Sequence, residues 1–148
     1  MAQHIFHLNA HWQGGRNDIG TIETQNLQTK VSIPPEMDGP GIGTNPDEML
    51  LGAAATCYII TLAAMMERSK IEKIDLKMTS EGHVDVTNGV ITYQKIIHRP
   101  VVTIKPDPAK NISTLLQKLA IKAEHSCMIS RALKGNVEIE AILTIKKG

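Results

Sequence analysis

The two cysteines of this chain, Cys57 and Cys127, are its most reactive side chains, and they sit in different settings. Cys57 lies in Ala-Ala-Ala-Thr-Cys-Tyr, inside a long apolar run. A free cysteine there is either a small buried hydrophobe or a thiol that a neighbour must ionise. Burial alone raises a thiol pKa, so chemistry at Cys57 calls for a nearby cation. Cys127 follows Ser126, which reads as the N-cap of a short helix from Cys127 to Lys134, stopped by Gly135. The first position of a helix meets unsatisfied N–H groups and the positive dipole end, a placement that lowers a thiol pKa. His125, two residues earlier, is placed either to tune that thiol or to complement a helix dipole.

Metal chemistry finds no support. His7 and His11 share one side of a strand but stand about 13 Å apart along it, too far for one ion. No Cys-x-x-Cys occurs, nor a helical His-x-x-x-His, so neither metal nor cofactor is expected. Two cysteines are also too few for a disulfide scaffold. With 16 Lys and Arg against 15 Asp and Glu, the chain lacks the basic field that holds phosphates. Neither nucleic acid nor a membrane is an expected partner. The opening MAQHIFHLNAHWQGG has neither the basic start nor the apolar run of a secretory signal, which suggests a cytoplasmic protein. A length of 148 residues suits one domain, residues 1–148. Aromatics make up only 3%, so the core must come from Ile, Leu, Val, Ala and Met.

The elements that must position the thiols are legible from periodicity. Phe6, Leu8, Ala10 and Trp12 alternate with polar residues, as a half-buried strand does. A turn over Gln13–Asp18 leads to a returning strand, Ile19 to Thr24, and a third carries Leu27, Thr29, Val31 and Ile33. Pro34 to Gly43 is a Pro/Gly loop in which no helix is expected. Asn45 as N-cap, Pro46 at the first position and acids in the first turn then start a helix to about Ser69. From Met49 to Met66 that helix has no charge. It reads as a helix wrapped by protein on every side rather than a membrane span. A hairpin turning at Asn88-Gly89 follows, with Pro100 suggesting an edge or a bulge and Pro106 and Pro108 ending the return strand. A helix from about Asn111 to His125, the short helix and a strand from Val137 to Ile145 complete the order βββ-α-ββ-αα-β. The fold class is α+β.

Several motifs in this order resemble one family. They are Gly14-Gly15-Arg16 in the first turn, Gly43-Thr44-Asn45-Pro46-Asp47-Glu48, Ala53-Ala54-Ala55-Thr56-Cys57, and Ala123-Glu124-His125-Ser126-Cys127-Met128-Ile129-Ser130. Together they resemble the OsmC/Ohr family of thiol peroxidases along nearly the whole chain. One departure is that the family usually has Pro after its second cysteine, where this chain has Met128.

The resemblance implies an OsmC-like fold, an intertwined homodimer, and reduction of organic hydroperoxides to alcohols. It makes Cys57 the peroxidatic thiolate and Cys127 the resolving thiol, joined as a disulfide after turnover. It has Arg16 reach over Cys57, held by a first-turn carboxylate, and it implies a dithiol reductant such as a lipoylated protein. The family's carboxylate slot, directly after the Pro, holds Asp47. At about 100° per residue, Asp47 stands about 80° from Cys57 around the axis and Glu48 on the far side. Asp47 is thus the expected partner of Arg16, with Glu48 as the cap on Asn45. Two other readings stay open: an OsmC-like redox-sensing or small-ligand-binding protein with little turnover, and a purely structural Cys57.

Overall fold

The computed structural model describes residues 1–105 and 111–148; Pro106 and Pro108 lie outside the described residues. Strands β1 (Asn9–His11), β2 (Gly20–Glu23) and β3 (Gln28–Val31) precede helix α1 (Pro46–Arg68). Strands β4 (Lys73–Thr87) and β5 (Val90–Ile104) follow, then helices α2 (Ile112–Ser126) and α3 (Met128–Leu133), and strands β6 (Glu138–Ala141) and β7 (Thr144–Lys147). The α+β class stands. The expected single last strand is two strands. Backbone contacts divide the chain into two compact units, Met1–Met49 and Leu50–Gly148.

The first unit is an antiparallel meander, β1-β2-β3. Its first turn is closed by Trp12, whose indole N–H donates to the Gly15 carbonyl at 2.9 Å. The indole also lies over Gly20, where a Cβ would approach the ring to 2.5 Å, so only glycine fits. The strand expected from Phe6 to Trp12 pairs only over Asn9–His11. Its apolar side is not half-buried: Phe6 is 94% exposed and Leu8 55%. The meander is one layer, and a single layer buries little of its own apolar face. The Pro/Gly loop is not free of helix. Pro35–Met37 forms one 3-10 turn, because Pro at its first position already holds a helical φ. The loop folds back on β3 through Thr44 N–H to Lys30 O at 2.9 Å, and through Ser32 Oγ, which bonds the Ile42 carbonyl at 2.7 Å. Asn45 then caps α1 as expected, its Oδ1 accepting the Glu48 N–H at 2.9 Å.

In the second unit the Asn88-Gly89 turn, with both residues at positive φ (51° and 75°), joins β4 to β5 in antiparallel register. A two-residue turn with both residues left-handed matches the twist of the strands, which is why this dipeptide sets the hairpin. Pro100 overturns one expectation. It is fully buried in β5, which is the central strand, with β4 on one side and β6 and β7 parallel on the other. The bulges fall elsewhere, at Lys73/Asp75 and His83/Val84. Proline has no N–H to give. Accordingly, the second neighbour pairs with Lys95–His98 as β6, breaks at Ile142–Leu143, and resumes against Val101–Ile104 as β7. The missing donor splits the strand.

Helix α1 presents Ala54, Tyr58, Leu62, Met65 and Met66 as one buried stripe. Tyr58, Leu62 and Met66 pack with Val102 and Ile104 of β5 and with Leu116, Leu119 and Ala123 of α2. The helix is apolar and long enough to cross a membrane by length and composition, with mean hydropathy 1.9 over its window. Its own chain does not wrap it on every side: Gly52, Ala53, Thr56 and Ile60 are exposed, Ile60 at 62%. One long helix and one sheet face cover only about half of a cylinder.

Behind the stripe, His98 is fully enclosed and stacked on the Tyr58 ring, with centroids 4.9 Å apart, and its Nδ1 meets Ser80 Oγ at 2.7 Å. Burial pushes its pKa down to about 4. The folded state therefore refuses a proton that the unfolded chain takes up below about pH 6.5. Stability is full above that pH and falls as the pH drops toward 4, by about 1.4 kcal/mol per unit for one proton. Urea unfolding at pH 7 and pH 5 should show a loss about 2 kcal/mol larger in the wild type than in His98→Phe, which keeps the stack without the titration. An equal loss in the two proteins would refute the assignment.

Candidate active site

Cys57 occupies the border of α1, between the buried stripe and the exposed face, and is half-buried. Cys127 is placed by a junction. Helix α2 ends at Ser126, and Cys127 leaves helical geometry at φ −57° and ψ 126° before α3 begins at Met128. Its own N–H still bonds the Ala123 carbonyl at 2.9 Å, so one residue closes α2 and caps α3. The cap expected at Ser126 is therefore Cys127 itself. Cys127 is 1% exposed.

The two thiols influence each other. Burial pushes the Cys57 thiol up, but hydrogen bonding from the Cys127 thiol and from the Ile129 and Met128 amides pulls it down, while the Thr61 hydroxyl donates to the Cys57 carbonyl at 2.7 Å. These donors outweigh the burial, and Cys57 lies below the ordinary thiol value. Cys127 lies above it, through burial first and then because it gives its proton to Cys57. The residues alone suggest that the α3 N-terminus lowers the Cys127 pKa and that a cation ionises Cys57, while the family resemblance gives Cys57 the thiolate role. The first amides of α3 are shared between the thiols: those of Ile129 and Met128 lower Cys57, and those of Ser130 and Ile129 lower Cys127. Hydrogen bonds to the charged form lower a pKa as a cation does. Met128 matters here, since a proline in its place would offer no N–H.

Tyr58, next to Cys57, keeps its phenol as a donor. Burial, with the Glu124 carboxylate and Cys127 nearby, raises its pKa, and its hydroxyl bonds the Ala120 carbonyl at 3.0 Å. That bond ties α1 to α2 beside the thiols. Thr61, Ile129, Ser130 and Tyr58 went unassigned in the sequence; only the cysteine spacing near a helix start hinted that amides would be available.

The other expected site residues lie in the first unit. The Arg16 guanidinium binds the Met37 carbonyl at 2.7 Å, the Asp38 carbonyl at 3.3 Å and Asn17 Oδ1 at 2.8 Å. The Gly14–Gly15 turn and the 3-10 turn thus hold it between them. The Glu48 carboxylate accepts the Thr44 hydroxyl at 3.1 Å, and the bond of Glu48 to Asn45 is through its backbone N–H. Asp47 stands one residue earlier in the first turn, ten residues before Cys57 on α1. Among the described residues no cluster of His, Cys, Asp and Glu could hold a metal ion.

An α+β chain with two adjoining thiols, one depressed and one raised in pKa, has the makings of a dithiol redox protein. The family model for OsmC-like protein matches residues 39–141, and the chain belongs to that family. It is 66% identical over 148 residues to the uncharacterized protein YmaD of Bacillus subtilis (strain 168), covering 100% of this chain and 99% of that one. It is 24% identical over 135 residues to the peroxiredoxin OsmC of Escherichia coli (strain K12), covering 88% and 91% of the two chains. The crystal structure of an organic hydroperoxide resistance protein OsmC from Legionella pneumophila matches with a TM-score of 0.75, at 26% identity and 99% coverage of both chains.

The donors around Cys57 make a direct forecast. Cys127→Ala and Met128→Pro each remove one, so the pH at which iodoacetamide begins to alkylate Cys57 should move upward in both. Cys127→Ser keeps a hydroxyl donor and should move it less. Pro is well accepted at the first position of a helix, so the second variant should fold. An unchanged alkylation profile in all three would show that Cys57 owes its reactivity to something else.

Proposed function

We propose that this chain is a cytoplasmic peroxidase that reduces organic hydroperoxides to alcohols with Cys57 as the attacking thiolate. The observation that carries the reading is the pairing of a half-exposed, acidified Cys57 with an enclosed Cys127 that donates to it. Relatives named for organic hydroperoxide resistance and as a peroxiredoxin support the class of reaction. The Cys57 thiolate attacks one peroxide oxygen and the O–O bond breaks. An alkoxide leaves and takes a proton to become the alcohol, while Cys57 becomes a sulfenic acid. Cys127 then attacks that sulfur; an S–S bond forms and hydroxide departs as water. A dithiol, such as a lipoyl group on a partner protein, returns two electrons and two protons. Arg16 supplies positive charge to the transition state, with Asp47 as the carboxylate that orients it and Glu48 as the cap of α1.

The protein works as a homodimer. The exposed side of α1, the apolar residues Phe6 and Leu8, and the hairpin tip at Val86, Val90 and Ile91 are surface that a second copy would cover. A monomeric mass in sedimentation at micromolar concentration would exclude this.

Stoichiometric cumene hydroperoxide should lower the intact mass by two hydrogens, and Cys57→Ser should abolish both this change and peroxide consumption. Cys127→Ser should complete one turnover and stall with Cys57 as a sulfenic or over-oxidised acid. A Cys57→Ser protein with wild-type turnover would eliminate the proposal, and oxidation without turnover under a supplied dithiol would favour a sensor. Asp47→Asn should lower kcat/KM for an alkyl hydroperoxide by roughly tenfold, about 1.4 kcal/mol. Glu48→Gln should cost only stability, within about 1 kcal/mol. The reverse pattern would exchange the two roles.

A further inference from the structure

Ser130 is left without a task by the chemistry above. It is third in α3 and 4% exposed, and its hydroxyl has no hydrogen-bond partner among the described residues. An enclosed polar atom without a partner is uncommon in a native protein and calls for an explanation. The polar atom Ser130 faces is the Cys127 sulfur. A neutral thiol is a weak acceptor, whereas a thiolate binds donors about twice as strongly. The Ser130 amide reaches the same sulfur, as expected for the third residue after an N-cap.

We propose that the Ser130 hydroxyl is the donor held ready for the Cys127 thiolate, which it stabilises as the leaving group when a dithiol opens the Cys57–Cys127 disulfide. This rests on the proposed function. Cys57 is the accessible sulfur and Cys127 is enclosed, so an incoming thiolate attacks Cys57. A bond forms between the reductant sulfur and Cys57, the Cys57–Cys127 bond breaks, and its electron pair goes to Cys127. The second thiol of the reductant then closes on the first. It releases Cys57 as a thiolate, and Cys127 takes up a proton from solvent. A disulfide opens faster when its leaving sulfur holds charge well, and burial makes Cys127 a poor one. Ser130 offsets that burial. In the reduced protein the hydroxyl waits unpaired because its partner is then neutral.

The test isolates this step. The disulfide is formed with diamide, and its reduction by dithiothreitol is followed by stopped flow across pH. Ser130→Ala should reduce about tenfold more slowly, a loss of the size expected for one charge-assisted hydrogen bond. Ser130→Thr, which keeps the hydroxyl, should restore the rate to within about threefold. Reduced Ser130→Ala should still alkylate at Cys57 with the wild-type pH profile. Equal reduction rates in Ser130→Ala and wild type would overturn the proposal. So would slowing that Ser130→Thr does not reverse, or slowing matched by a shifted Cys57 profile. Because diamide replaces peroxide, a wild type inert to hydroperoxides would end the peroxidase reading and leave this test intact.

Discussion

An apolar helix is a poor place to ionise a sulfur, and the second unit of this protein is built around that difficulty. Water cannot solvate a thiolate at Cys57 fully, because Ala54 and Tyr58 flank it on the buried side. The chain supplies the missing donors from another element, the first amides of α3 and the Cys127 thiol. That solution requires the α2–α3 junction to dock on α1 at one height. Leu62 and Met66 packing on Leu116 and Leu119, with the Tyr58 hydroxyl on the Ala120 carbonyl, set that height. A slip of one helical turn would move the amides about 5.4 Å and remove them from the sulfur. Core packing and thiol acidity are thus the same constraint.

The pieces legible in the sequence are those governed by neighbours in the chain. Asn45-Pro46 announces the start of α1, and Asn88-Gly89 announces the hairpin, because caps and tight turns are local chemistry. The two cysteines and their order were equally plain. What the sequence hid depends on distant partners. Whether Cys127 faces water or the core is decided by how α3 lies against α1, which no spacing reports. Pro100 looked like an edge residue because proline removes a donor. The strand accommodates it centrally because the ladder to the opposite neighbour is interrupted at Ile142–Leu143, although the Ile142 N–H still bonds the His98 carbonyl at 2.8 Å. The alternation from Phe6 to Trp12 correctly marks apolar positions, yet period two says nothing about whether a second layer covers them.

One proton shared between two sulfurs also orders the chemistry in time. While Cys57 carries the charge, Cys127 keeps its proton, since ionising both would place two negative charges side by side. The enclosed thiol is thereby protected from premature oxidation. In the peroxidase reading proposed above, a neutral sulfenic acid at Cys57 would remove that repulsion, and the Ser130 and Ile129 amides that already lower the Cys127 pKa would then act unopposed by a neighbouring charge.

The first unit treats charge differently. Arg16 is bound by the carbonyls of Met37 and Asp38 and by the Asn17 amide oxygen, and all three acceptors are neutral. Neutral acceptors hold the planar fork in place without themselves cancelling its charge. Holding the fork requires a loop whose carbonyls point inward. The 3-10 turn at Pro35–Met37 and the left-handed Asp38 at φ 59° arrange this. The Pro/Gly composition of the segment from Pro34 to Gly43 therefore does more than connect β3 to α1. It shapes a backbone cradle for the Arg16 guanidinium.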